Sequence, residues 1–499
     1  MTTHFPSRWA YRQRAALLAL LCGMVGMASA GMADSTAEPP PAIAKAIERS
    51  RILPEHLGIY VHETGSEAPW LALGADQVLN PGSVMKLVTS YAALELLGPA
   101  YTWKTEVYAS GQLTGERLPG DLILKGYGDP KLGIERFVAL LRGLRQRGIC
   151  EIAGDLVLDR GYFAIDLPFP SNFDDDPYAP YNAPPDALLL NLKAVQLNLV
   201  PDLHGGVSVI ADPKPAGVQV INRLASRAGA CAGRKQRSNI QIQSDADAAV
   251  ITVVGNHAPR CGEAQQYASV LGHAQYVFGV FQQVWNELGG QLKGGLRVAP
   301  VPRGARLVMT ARSPPLPEVL RDINKFSNNV MARQLFLTLG TLDGAPSTLG
   351  KSQAVVQRWF GGLGLDARHL IIDNGSGLSR TERISARQLG RLLVHADRSP
   401  LMPELVSTLP IAAVDGTLWR RFRRTPLAGR AHLKTGSLSG VKAIGGYVHN
   451  RYGRRVVVVC IANDARAAAS TAIQDALLQW AYEGGPQGAA PPVAPSRPP

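Results

Sequence analysis

Cysteine is scarce in this chain, five among 499 residues, and no spacing between them has a zinc signature. No glycine-rich phosphate loop is evident and no internal repeat is visible, so nothing points to a bound nucleotide. The apolar run near the start, Ala15 to Met27, is too short to span a bilayer comfortably, and the polar, Pro-rich stretch Asp34 to Pro41 follows it. The tail from Gly485 is rich in Pro and Ala and lacks a long amphipathic helix that would lie on a membrane. Neither a metal nor an organic cofactor is expected, and any membrane association is expected to be peripheral. Oligomeric state has no signal.

What is present begins with an export signal. Arg8, Arg12 and Arg14 form a basic region, Ala15 to Met27 an apolar one, and Ala28-Ser29-Ala30 a small-residue cleavage site, so residues 1–30 are expected to be removed. The formal charge is +13, and residues 1–30 carry three Arg and no acid. A basic balance favours a polyanionic neighbour, and export to the periplasm excludes nucleic acid. Lys and Arg are scattered, Arg420 to Arg424 (RRFRR) being the one cluster, read as a solvated surface. In an oxidising compartment Cys231 and Cys261 bracket a β-like segment, which predicts a disulfide between them.

Three short strings carry the chemistry: Ser83-Val84-Met85-Lys86, Ser327-Asn328-Asn329 and Lys434-Thr435-Gly436. Ser83 follows the turn signal Asn80-Pro81-Gly82 and opens an apolar, Pro-free segment, Ser83 to Leu97, that predicts a helix with Lys86 one turn on. The chain also contains a decoy. Ser439-Gly440-Val441-Lys442 fits serine-x-x-lysine too, but its serine sits beside glycine in a β-turn, where the lysine would point elsewhere.

Lys86 takes a proton from Ser83 only as a neutral amine, whereas a free lysine titrates near about 10.4. Lowering that by roughly three units corresponds to about 4 kcal/mol, which burial and a second cation, Lys434, would supply. Ser327 would relay a proton, and the two-ended amide of Asn329 would hold both Lys86 and a substrate amide. Backbone N–H groups of Ser83 and Ser437 are the candidate oxyanion donors. This is an acyl-transfer site.

At this length the chain predicts more than one core. The long interval between Lys86 and Ser327 reads as an insertion that leaves the catalytic domain and returns. The expected boundaries are 31–100 with 301–485 for the catalytic domain, 101–194 with 263–300 for an inserted α/β domain, 195–262 for a nested β-rich domain, and 486–499 for a disordered tail. Helices are predicted for Ile134 to Gln146, Ala274 to Leu288, a segment capped by Ser313 and ending near Asn324, Val330 to Leu339, a segment capped by Ser385, and Ala467 to Tyr482. Strands are predicted for Glu151 to Leu158, His432 to Leu438, Lys442 to His449 and Arg455 to Ala462.

With these strings in this order the chain resembles the exported D-alanyl-D-alanine carboxypeptidase/endopeptidase family, the low-molecular-mass penicillin-binding proteins with a large insertion after the first motif. The resemblance extends to Gly128-Asp129-Pro130, Ala183-Pro184-Pro185, Asp373 to Arg380 (DNGSGLSR) and Asp415-Gly416-Thr417. It implies an α+β fold, a penicillin-binding-protein/β-lactamase-like catalytic domain with two inserted, β-rich domains. It also implies Ser83 as the acylated nucleophile, Lys86 as base, Ser327 and Asn329 as the second motif, and Lys434, Thr435, Gly436 and Ser437 as the binder of a substrate carboxylate. Asn328 stands where the family often has aspartate, and its side chain is expected to point away from the cleft. Asn374 likewise replaces the Asp-Gly-Ser start of a glycine-rich loop. Arg380 and Asp176 are candidates for contacting an acidic group and an amine of a peptide stem, with a loop salt bridge and a solvated acidic turn as their structural alternatives. The implied partners are peptidoglycan stems and β-lactams as covalent inhibitors. A β-lactamase or esterase of the same chemistry, and a wall-binding protein without turnover, stay open at this point.

Overall fold

The computed structural model describes residues 38–165, 173–202, 204–225 and 238–487. The expected signal segment 1–30 and nearly all of the expected tail lie outside these residues, as does Cys231; Cys150 and Cys460 are free.

In chain order the elements that position the site are helix α1 (Pro41–Ser50), strands β1 (Leu57–Glu63) and β2 (Leu71–Leu73), helix α2 (Lys86–Leu97), strands β3 (Lys104–Ala109) and β4 (Leu122–Gly126), helix α3 (Ile134–Gln146) and strand β5 (Leu156–Asp159). After six strands of smaller sheets come helix α4 (His273–Glu287), strands β6 (Leu296–Val298) and β7 (Arg306–Arg312), and helices α5 (Leu316–Lys325), α6 (Asn329–Gly340) and α7 (Ala386–Arg398). Strands β8 (Ala431–Leu438), β9 (Val441–His449) and β10 (Arg455–Asn463) precede helix α8 (Ser470–Glu483).

Both ends of the chain build one antiparallel sheet in the order β8-β9-β10-β1-β2. The register runs from Leu57 opposite Ala462 to Glu63 opposite Val456. Side chains alternate across a strand, so Tyr60, Tyr447, Val457, Val459 and Ile461 enter a core with α2, α5, α6 and α7. Ile59, Val61, Val456, Val458 and Cys460 enter another with α1 and α8. Both faces are covered, which is why β10 reads as an unbroken apolar run. Helix α2 is apolar almost all round and buried from Lys86 to Leu94, as a helix packed on every side must be.

The segment between α2 and α5 folds on a mixed five-stranded sheet, β6-β5-β4-β3-β7. Two three-stranded sheets, one centred on Val195–Pro201 and one on Ala249–Asn256, adjoin it. One apolar cluster runs from Phe137 and Leu141 of α3 through Ile251 and Val253 to Phe281 and Trp285 of α4.

Three local expectations are corrected. The segment at Ser83 opens as a 3-10 turn, Gly82–Met85, and α-helix starts only at Lys86. Glycine at 82 takes a left-handed φ of 50° there, which a regular α-helix beginning at that position cannot contain. Ser313 does not cap α5, whose N-cap is Pro315; the Ser313 hydroxyl instead accepts the Trp103 N–H at 2.9 Å. The strand expected over Glu151 to Leu158 is two strands, Glu151–Ile152 and Leu156–Asp159, in different sheets.

Candidate active site

Ser83 is the partly exposed residue in an otherwise buried 3-10 turn. Its seat is set by Asn80, whose Oδ1 accepts the Gly82 N–H at 2.8 Å, and whose Nδ2 donates to the Ser379 carbonyl at 2.9 Å. Asn463, at the end of β10, accepts the Asn80 N–H at 2.7 Å and donates to its carbonyl at 2.9 Å. The Ser83 turn is therefore pinned to the sheet through one amide pair.

Lys86 Nζ donates to Ser83 Oγ at 3.1 Å, to Asn329 Oδ1 at 2.6 Å and to the Ser376 carbonyl. Lys434 Nζ donates to Ser327 Oγ at 2.9 Å and to the Thr435 carbonyl at 2.7 Å. Both amines are wholly buried. Burial, then the Lys434 and Arg333 cations, hold the Lys86 amine far below its ordinary value, with Glu382 pulling the other way. Burial brings Lys434 down to about 7. Two adjoining buried amines hold one proton far more cheaply than two.

Ser327 lies at the break between α5 and α6 with φ of 56°, a left-handed conformation that is unusual without glycine and places its hydroxyl toward Lys434. Asn328 caps α6 by accepting the Met331 N–H at 3.0 Å, so its amide serves the helix rather than the lysines. Asn329 opens α6. Arg333, one turn further on the same helix, is buried, and burial pushes its guanidinium down to about 10.

Strand β8 closes the other side. The two-residue hairpin Ser439-Gly440 makes Leu438 and Val441 a bonded pair, so alternate residues Ser437 and Thr435 turn their N–H and C=O groups off the sheet edge. A Cβ on Gly436 would sit 2.5 Å from the Pro81 carbonyl and 3.2 Å from the Ser83 N; one on Gly82 would sit 3.4 Å from the Ser437 N. Only glycine lets β8 approach the Ser83 backbone this closely. The Thr435 and Thr417 hydroxyls meet at 2.9 Å, joining the Asp415-Gly416-Thr417 loop to the strand. The decoy Lys442 donates to Ser437 Oγ at 3.0 Å, while Ser439 stays exposed in the turn.

Several residues at the site were not found by sequence reasoning. Glu382 is fully buried, and its Oε1 accepts the N–H groups of Asp373, Asn374 and Gly375 at 3.2, 3.1 and 2.9 Å. It holds the glycine-rich loop whose Ser376 carbonyl receives Lys86, and burial raises its carboxyl to about 7. Thr89 clamps the same loop by donating to the Gly375 carbonyl at 2.7 Å. Arg333 had a signal, its i+4 spacing from Asn329. Glu382 had none.

Arg380 and Asp176 stand apart from the amines. Arg380 pairs with Asp174, donates to the Ser439 carbonyl at 3.0 Å and lies over the Phe173 ring at 5.0 Å. With Arg333 and Asp373 it lines a cavity of about 360 Å³. Asp176 does not line that cavity; its main-chain carbonyl accepts from Asn182 Nδ2 at 2.7 Å and its carboxylate faces Tyr181.

A partly exposed serine, two depressed amines and a strand edge gathered from three distant segments accompany a likeness that covers most of the chain. The family model described as D-Ala-D-Ala carboxypeptidase 3 (S13) matches residues 41–483. The chain belongs to this family of serine carboxypeptidases. A D-alanyl-D-alanine carboxypeptidase of Actinomadura sp. (strain R39) is 28% identical over 455 residues, 87% of this chain and 83% of that one. The D-alanyl-D-alanine carboxypeptidase DacB of Haemophilus influenzae is 26% identical over 391 residues, 76% of this chain and 80% of that one. The crystal structure of penicillin binding protein 4 (dacB) from Haemophilus influenzae matches with a TM-score of 0.74 at 23% identity, covering 88% of this chain and 99% of that one. The fold is the α+β fold of that structure.

Proposed function

We propose that this enzyme hydrolyses D-Ala-D-Ala termini and D-alanyl cross-links of peptidoglycan stems through an acyl-enzyme on Ser83, and that β-lactams acylate the same oxygen. The observation that carries the reading is the pair of contacts from buried Lys86 to Ser83 Oγ and Asn329 Oδ1, with Lys434 bonded to Ser327 beside them. Ser83 Oγ adds to the peptide carbonyl carbon while its proton passes to neutral Lys86. The resulting oxyanion is held by the Ser83 and Ser437 N–H groups, and Lys434, Thr435 and Ser437 bind the terminal carboxylate. Collapse breaks the C–N bond, and the leaving amine takes its proton by way of Ser327. Water then hydrolyses the ester and returns the proton to Ser83. Asn329 orients Lys86 and offers its amide N–H₂ to the substrate.

The remaining parts of the reading are an exported, periplasmic location after removal of residues 1–30, two inserted domains at 101–194 with 263–300 and at 195–262, and a Cys231–Cys261 bridge. The separate sheets between α2 and α5 support the second, and Cys261, disulfide-bonded rather than free, supports the third. Arg380, in the cavity beside Arg333 and Asp373, is suited to an acidic group of the stem, and Asp176 to an amine.

Muropeptide analysis after incubation of peptidoglycan with wild-type and Ser83→Ala protein tests this. Loss of terminal D-alanine and of cross-links is expected with wild type alone, together with a lasting penicilloyl mass increase on Ser83. Rapid penicillin turnover with no adduct would make it a β-lactamase instead, and identical muropeptides from the two proteins would make it a wall-binding protein.

A further inference from the structure

The second motif does not face only the lysines. Ser327, Asn328 and Asn329 also line a cavity of about 420 Å³ together with residues of the segment between α2 and α5. Its other walls include Tyr181, Tyr267 and Phe326, whose side chains are open to solvent: Tyr181 is 40% exposed, Tyr267 47% and Phe326 69%. Large exposed rings that share one concave surface are a ligand-binding feature rather than a folding one. Amides of Asn191 and Gln196 and carboxylates of Glu135 and Asp212 stand among them. The chain turns at this wall through Asn191, Leu192 and Lys193, three successive non-glycine residues with φ of 48°, 51° and 55°, a conformation that persists only where surrounding structure imposes it.

Charge decides what fits. In a chain of formal charge +13, none of the side chains lining this cavity is basic among the described residues, and two are acidic. A second stem peptide, rich in carboxylates, would be repelled, whereas a neutral chain of N-acetylated sugars would not. Sugar rings present flat C–H faces to aromatic rings, and their hydroxyl and acetamido groups match side-chain amides and carboxylates.

We propose that this groove binds the N-acetylated glycan to which the stem peptide is attached, so that a stem entering the catalytic cleft is held together with its sugar chain. The proposal rests on the peptidoglycan reading above, since only a glycan-borne stem presents both parts at once. Tyr267, whose hydroxyl donates to Gln265 Oε1 at 2.9 Å, is the residue to change.

The test compares three substrates with wild-type, Tyr267→Ala and Tyr267→Phe protein: a short acylated D-Ala-D-Ala peptide, a sugar-free pentapeptide stem, and the same stem on its disaccharide. Tyr267→Ala is expected to raise KM for the disaccharide substrate about tenfold, leaving kcat and both sugar-free substrates within about twofold, and Tyr267→Phe to restore the wild-type KM. Saturation-transfer NMR with N-acetylchitotetraose and full-length Ser83→Ala protein is expected to show contact to the acetyl groups, abolished when Tyr267→Ala is added. Equal losses on the sugar-free stem would assign the groove to peptide and overturn the proposal, as would an unchanged KM for the disaccharide substrate. Wild-type protein inert on all three substrates would instead sink the peptidase reading, and tetraose binding would then still report on the groove by itself.

Discussion

Lys434 and Lys193 are both wholly buried, and burial takes each amine to about 7. Their neighbours differ. Around Lys434 stand two hydroxyls that solvent reaches in part, Ser327 and, through Lys86, Ser83. Around Lys193 stand Ser269, itself buried at 3.3 Å, the carboxylate of Asp186 and the ring of His273, which burial pushes to about 4. Asp186 is paired with Arg160, and its backbone N–H and C=O exchange hydrogen bonds with Gln334 of α6, both at 2.8 Å. That second cluster is a joint between the inserted segment and α6. A depressed amine therefore becomes chemistry only beside a reachable hydroxyl and an open approach; elsewhere it is architecture.

The largest effect is expected from paired substitutions of these two lysines. Lys434→Met is expected to lower kcat/KM on a D-Ala-D-Ala peptide by about 10³-fold, and Lys193→Met to change it by less than about threefold. Similar losses in the two variants would erase the distinction. Lys434→Met should also stabilise the fold. With a folded value of about 7 against 10.5 for the free group, the native state binds fewer protons than the unfolded state across that window, so wild-type stability rises with pH there. Methionine removes the dependence and is expected to add about 1–3 kcal/mol at pH 7, read by chemical denaturation.

Glycines divide the two regions in the same way. Gly436→Ala puts a methyl 2.5 Å from the Pro81 carbonyl, backbone against backbone, whereas Gly295 in the inserted segment has open space. The first is expected to cost about 10²-fold in acylation rate by β-lactam, as the oxyanion donors separate, and the second to leave both rate and stability within about 0.5 kcal/mol. A smaller effect is expected for Glu382→Gln. The ionised fraction of the Glu382 carboxyl, whose value is about 7, pulls the Lys86 pKa up, so its neutral replacement should move the acid limb of the kcat/KM profile slightly to lower pH. Activity at pH 7 should stay within about fivefold. An unmoved limb would mean that Glu382 only supports the loop. Least of all, Asn328→Asp should alter kcat/KM less than about twofold, because the residue caps α6 and aspartate caps as well.

The meeting of the three short strings was legible because their local settings are themselves readable: a turn before Ser83, a helix break at Ser327, a hairpin after Lys434. The strand pattern of β8 to β10 was equally plain, since a β-branched, uncharged run such as Val456 to Ala462 suits a strand buried on both faces and little else. The orientation expected for Asn328, away from the cleft, is met by its capping bond. What the sequence hid was set by tertiary contact. Nothing in Gly82–Met85 separates a 3-10 turn from an α-helix until β8 packs on it, and Glu382 matters only because three N–H groups of a loop converge on one carboxylate oxygen. Ser313 looked like a cap because serine before two prolines usually is one, yet the Trp103 N–H claimed its hydroxyl.

The pairing of β1 with β10 joins residues 57–63 to 455–463. The Ser83 turn leans on β8 and is pinned by Asn463, so this arrangement cannot exist on a chain that has not yet reached β10. Such a late, long-range closure makes assembly slow. It also works as a safety catch: a chain that stops before its last strand lacks both the partner of β1 and the Asn463 amide that pins the Ser83 turn.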